Sequence, residues 1–91
     1  MNAASRGAPP SLGVIGAGTM GSGIALVGLR AGMRVVLVEP VDTMRDRARE
    51  YLHRHLEKNG SPAKMRELVL AADLESLSGA QVVIEAVPED L

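Results

Sequence analysis

The sequence predicts an α/β domain: a doubly wound parallel sheet of strand order 3-2-1-4, truncated before its last covering elements. Three observations predict it. Short apolar runs alternate with longer amphipathic segments, the strand candidates are apolar on both faces, and a glycine-rich turn joins the first run to the first helical segment. Such alternation implies crossover connections and helices packed on the sheet. With 91 residues the chain holds at most one domain. It ends just after a strand that should feed another helix, so residues 11–91 read as a partial domain with one sheet face left bare.

Residues 1–10, MNAASRGAPP, are small and polar with no apolar period, and read as a disordered lead-in. Residues 12–15 form an apolar run closed by Gly16, too brief for a helix and suited to a buried strand. In the next segment Met20, Ile24, Val27 and Ala31 recur at helical spacing, and Gly32 stands where a helix often ends in a left-handed residue. The β-branched run over residues 34–39 is the second strand, stopped by Pro40. Asp42 is expected to N-cap a long second helix whose apolar side is Met44, Ala48, Tyr51, Leu52 and His55, with Asn59 and Gly60 at its end. Ser61-Pro62 repeats the start signal, a cap followed by Pro at the first helical position, and that helix leads into a short strand over residues 68–71. Residues 73–79 read as a turn, 81–87 as another buried strand, and 88–91 as the opening of a further element.

Apolar residues make up 46% of the chain and charged residues 23%, which fits a folded protein. With no Phe, no Trp and a single Tyr51, the core must be aliphatic, and Met20, Met33, Met44 and Met65 read as gap-fillers within it. A net charge of −1 and the lack of stacking aromatics argue against a nucleic-acid partner. The absence of cysteine excludes a disulfide framework, a thiolate nucleophile and a Cys-ligated metal, and makes the cytoplasm the expected compartment. Residues 7–29 carry no charge, yet Gly13, Gly16, Gly18, Gly21, Gly23 and Gly28 make them a poor membrane span.

Gly16-Ala-Gly18-Thr-Met-Gly21 matches G-x-G-x-x-G, a weak signal alone in a chain with 10 glycines. Context strengthens it. The turn follows a strand, opens a helix, and is followed by Glu39 at the end of the next strand, as dinucleotide binding requires. Gly16 allows the tight turn, Gly18 lets a pyrophosphate approach the backbone, and Gly21 lets the helix pack on the sheet. The phosphates then meet the positive end of the helix dipole, so no basic residue is needed. Without G-K-[ST] the turn is not a triphosphate-binding loop. Glu39 would accept hydrogen bonds from an adenosine ribose and repel a 2′-phosphate, which favours NAD over NADP. Its bland alternative is a solvated strand-end residue. Arg45, Arg47 and Arg49 could rescue a 2′-phosphate, although a charge run on a helix is usually its wet face. Glu85, within an apolar strand, is read either as a group at the functional edge of the sheet or as one paired with a base.

Residues 12–25 (LGVIGAGTMGSGIA) together with residues 82–91 (VVIEAVPEDL) resemble the N-terminal NAD-binding domain of the L-3-hydroxyacyl-CoA dehydrogenases. The resemblance implies a Rossmann-like fold with NAD as cofactor, held by Gly16, Ala17, Gly18, Thr19, Met20 and Gly21, by Glu39 where the family usually has Asp, and by Ala86 and Glu89. It also implies an oxidoreductase of fatty-acid metabolism that interconverts L-3-hydroxyacyl-CoA and 3-oxoacyl-CoA, with acyl-CoA as the partner. Residues 40–42 and the stretch over 59–70 depart from the family's pattern, so no CoA contact carries across, although Arg54 and Lys58 suit phosphates chemically. The family's catalytic His and Glu, with their Ser and Asn helpers, come after the equivalent of Leu91, which implies no catalytic residue here and a chain that binds without turning over. His53 and His55, two apart on a helix, point to different faces and form neither a catalytic pair nor a metal site. A homodimer, where formed, would use segments beyond this chain. The rival readings are a non-catalytic NAD-binding regulatory module and a dehydrogenase of the same fold acting on another hydroxy acid.

Overall fold

A computed structural model of the chain describes residues 10–87. The expected lead-in, apart from Pro10, and the expected element over residues 88–91 lie outside them. Strands β1 (Ser11–Ile15), β2 (Arg34–Val38), β3 (Leu68–Ala71) and β4 (Val82–Glu85) form one sheet in the order β3-β2-β1-β4, every pair parallel. Helices α1 (Thr19–Arg30) and α2 (Asp42–Lys58) connect the first three strands, with a 3₁₀ segment, Pro62–Glu67, before β3 and another, Leu74–Leu77, before β4. The predicted order and strand direction are those observed.

Parallel register aligns side chains in rows. Leu68, Val35, Leu12 and Val82 form one row and Leu70, Leu37, Val14 and Ile84 another, both on the face that carries the helices. A Cβ on Gly28 of α1 would come 2.9 Å from Leu12 and 3.0 Å from Val35, so the helix lies close against β1 and β2. The core is accordingly Leu12, Val14, Val35 and Leu37 of the sheet, with Ala25, Leu26 and Leu29 of α1 and Ala48, Leu52 and Leu56 of α2.

Both helices end in the same way. After α1, Gly32 has φ +86°, its N–H donates to Leu29 O, and the N–H of Met33 donates to Gly28 O. After α2, the N–H of Gly60 donates to Glu57 O and that of Ser61 to Leu56 O. This paired bonding satisfies the last helical carbonyls and turns the chain toward the next strand. Lys64 Nζ adds a 2.8 Å bond to the carbonyl of Arg30, placing a cation at the negative end of α1.

Five expectations are corrected. The buried side of α1 is Gly21, Ser22, Ala25, Leu26, Gly28 and Leu29, whereas Met20 is 68% and Val27 66% exposed. Small residues won because close approach to the sheet leaves no room for a larger stripe, and Met20 is therefore no core filler. In α2 the buried line is Ala48, Leu52 and Leu56, with Met44, Tyr51 and His55 half-buried on its flank. Asp42 is not the cap: Val41 holds that position, no side chain caps the N-terminus of either helix, and Asp42 is the first helical residue, where its charge still suits the dipole. Neither is Ser61 a side-chain cap, and the element it precedes is a 3₁₀ segment, not an α-helix. Finally, β4 is exposed rather than buried, Glu85 included, because it is an edge strand with no helix against it among the described residues.

Candidate functional site

Because the strands are parallel, the turns that follow them gather at one edge of the sheet. The ladder runs one residue past three strands: Gly16 N donates to Val38 O, Glu39 N to Ala71 O and Ala86 N to Ile15 O, each at 2.8 Å. These bonds fix the height of the turns after β1, β2 and β4. β1 lies between β2 and β4, where the strand order reverses, and a crevice at that point is where open α/β sheets take ligands.

Gly16 has φ +101°, a conformation that side chains rarely adopt, and a Cβ there would also meet Ala86 at 3.2 Å. A Cβ on Gly21 would stand 1.7 Å from the Gly16 carbonyl oxygen. Only glycine fits. Gly18 differs, since a Cβ there would meet nothing nearer than the Met44 methyl at 3.9 Å, which leaves space beside its backbone. The three glycines thus separate into one that turns the chain, one that seats the helix and one that leaves space.

Gly18 precedes α1 in extended conformation with no side-chain cap. The first backbone N–H groups of a helix have no intrahelical acceptor, so those of Thr19, Met20 and Gly21 present the positive dipole end at the turn. Ser22, buried, donates from Oγ to Ala17 O at 3.0 Å and braces the turn from beneath.

Glu39 is only 8% exposed, and each of its carboxylate oxygens accepts one hydrogen bond: Oε1 from Ala17 N at 3.0 Å and Oε2 from Val41 N at 3.2 Å. It therefore joins the turn after β1 to the turn after β2. That answers its bland alternative, because a solvated strand-end residue would not be buried and doubly bonded to backbone. A carboxylate offers about four lone-pair sites, so two remain for hydroxyl donors. Arg45 Nη1 donates to the Glu39 carbonyl oxygen at 2.6 Å, and its guanidinium also pairs with Asp42.

Beside the turn, between α1 and α2, lies a cleft of about 220 Å³ lined by Gly18, Thr19, Ser22, Met44, Arg47 and Tyr51 among others. It is smaller than the ~300 Å³ at which ligand pockets begin, so it suits part of a ligand. Sequence reasoning missed it, although the flanking stripe Met44, Ala48 and Tyr51 carried the signal and was read as core.

Gly16, Ala17, Gly18, Thr19, Met20, Gly21, Glu39 and Ala86 thus meet at one edge, while Glu89 lies outside the described residues. His53 is exposed, and the half-buried His55 packs at a tilt against Tyr51 with ring centroids 4.4 Å apart. Among the described residues no group of three His, Cys, Asp or Glu could hold a metal, and no helix is long and apolar enough to cross a membrane. Glu85 is on the bare face, in a row with Ile15, Val38 and Ala71, and makes no ion pair among the described residues.

Residues 11–91 match the family model described as 3-hydroxyacyl-CoA dehydrogenase, NAD binding domain. The chain belongs to that family. It is 42% identical over 88 residues to a 3-hydroxybutyryl-CoA dehydrogenase of Mycobacterium tuberculosis, an alignment covering 87% of this chain and 31% of the relative. Among solved structures, the 3-hydroxybutyryl-CoA dehydrogenase of Escherichia coli K12 superposes with a TM-score of 0.80 at 30% identity, covering 90% of this chain and 19% of that one. The (S)-3-hydroxybutyryl-CoA dehydrogenase of Ralstonia eutropha gives 0.81 at 25% identity, with 92% and 33% covered. The chain thus spans about a third or less of the length of these relatives. As an NAD-binding domain of the 3-hydroxyacyl-CoA dehydrogenase family, it carries the cofactor-binding elements of that fold, with the glycine turn at the switch point of the sheet.

Proposed function

We propose that the turn after β1 holds the pyrophosphate of NAD and that Glu39 holds its adenosine ribose, within a protein that interconverts L-3-hydroxyacyl-CoA and 3-oxoacyl-CoA. The single observation that carries the reading is the division of labour among Gly16, Gly18 and Gly21, in which only Gly18 has an open side. A pyrophosphate there would reach the uncapped N–H groups of Thr19, Met20 and Gly21. The residues fit the group. Glu39 keeps lone pairs free for the ribose hydroxyls while its charge opposes a 2′-phosphate, and Ala86, against Gly16, walls the far side.

When bound, NAD supplies the hydride acceptor. What this chain contributes is position: the ladder fixes the turns, Glu39 joins two of them, and the α1 dipole holds negative charge at the turn. Neither histidine lines the cleft beside the turn, His53 being exposed and His55 half-buried against Tyr51 on the flank of α2. In this reading the domain by itself binds NAD without turnover.

Gly18→Val tests the site with little risk to the fold, because an added Cβ meets nothing nearer than the Met44 methyl, the end of a flexible side chain, and the backbone there is already extended. NADH binding, measured by calorimetry, should disappear while the far-UV spectrum stays that of the parent. Unchanged binding would overturn the assignment. For the reaction, the native gene product should oxidise NADH in the presence of a 3-oxoacyl-CoA, and failure there with NADH still bound would leave a binding module.

A further inference from the structure

Arg45 bonds the backbone of Glu39 at the ribose end of the proposed site, whereas Arg47 lines the cleft beside the glycine turn, and Arg45 is not free. Its side chain is 20% exposed, one nitrogen is spent on the Glu39 carbonyl and another pairs with Asp42, three positions earlier on the first turn of α2. Asp42 is itself 84% exposed, so its carboxylate adds little to stability. Its effect is on charge. With Arg45 neutralised, the corner formed by Glu39, Asp42 and Arg45 keeps a net negative charge at the point where NADP carries an extra phosphate and NAD carries a hydroxyl. A guanidinium released from that pair would present the forked donors that bind phosphate best.

We propose that the Asp42–Arg45 pair is a second determinant, beside the Glu39 carboxylate, of the preference for NAD over NADP. The inference rests on the dinucleotide reading above. In it, Asp42 acts by withholding Arg45 from a 2′-phosphate rather than by touching the cofactor, and it is a positioning residue.

The test is the ratio of NADPH to NADH dissociation constants, by calorimetry on the 91-residue chain, with circular dichroism to show that each variant is folded. Asp42→Asn should lower the ratio about three- to fivefold, the range of a partly exposed charge pair, while NADH affinity hardly moves. Adding Arg45→Ala should return the ratio toward that of the parent, since the released cation is then gone. A ratio unchanged in folded Asp42→Asn, or a gain that survives Arg45→Ala, overturns the proposal and leaves NADH binding intact. If the parent binds neither dinucleotide, the cofactor reading falls first and this one with it.

Discussion

The two faces of the sheet carry similar residues and meet different fates. On the helix side, the rows through Leu12 and Val14 are covered by α1 and α2, and Val35, Leu37 and Val14 are fully buried. On the other side, among the described residues the row Val69, Val36, Gly13 and Val83 has only the second 3₁₀ segment and Ala80 against its middle, so Val36 is half-buried while Val69 at one end is 45% and Val83 at the other 48% exposed. Apolar composition thus marks what a strand can bury, while the connections decide what it does bury. Side-chain deletions should therefore cost far more on one face than on the other.

The largest effect is expected at the joint of turn and helix. Gly21→Ala puts a Cβ into the Gly16 carbonyl, and the helix must move off the sheet, a loss above roughly 4 kcal/mol that urea unfolding would show as a missing native baseline. Next comes Leu52→Ala in the buried line of α2, which should cost about 2–5 kcal/mol and lower the urea midpoint without changing the slope. Glu39→Ala leaves the N–H groups of Ala17 and Val41 without their acceptor, at about 1–3 kcal/mol in the same assay, and narrows the preference for NADH over NADPH. Smallest is Val83→Ala on the bare face, within about 1 kcal/mol of the parent. If Val83→Ala proved as costly as Leu52→Ala, that face would be covered in solution, and sedimentation at two protein concentrations would tell whether a second copy covers it.

Much of this was legible in the sequence because its signals are local. The order of elements, the parallel direction and the turn chemistry follow from run lengths and from where Gly16, Gly32 and Gly60 stand. Less legible was which side of a helix faces inward. Met20 and Val27 lost to Gly21, Ala25 and Gly28 because closeness to the sheet, a tertiary property, outweighs the hydrophobicity of one side chain. Asp42 met every local condition for a cap, yet the Glu39 carboxylate holds the N–H of Val41 and the helix begins one residue earlier than the cap rule required. For the site, residue types and spacing indicated the glycines and Glu39. They named Arg45 only together with Arg47 and Arg49; what they could not indicate is the pair of acceptors, the Glu39 carbonyl and the Asp42 carboxylate, that only the folded chain brings within reach of Arg45.

The two hydrogen bonds that Glu39 accepts, from the N–H groups of Ala17 and Val41, have one more consequence. They form between parts of the protein itself, so the loops stand in their ligand-ready arrangement before anything arrives, and the entropy of ordering them is spent during folding rather than on association. A site made ready in this way gains and loses its shape together with the fold. Affinity should then stay nearly constant as the protein is weakened by distant mutations, and vanish only over the range of temperature or urea where the domain itself unfolds.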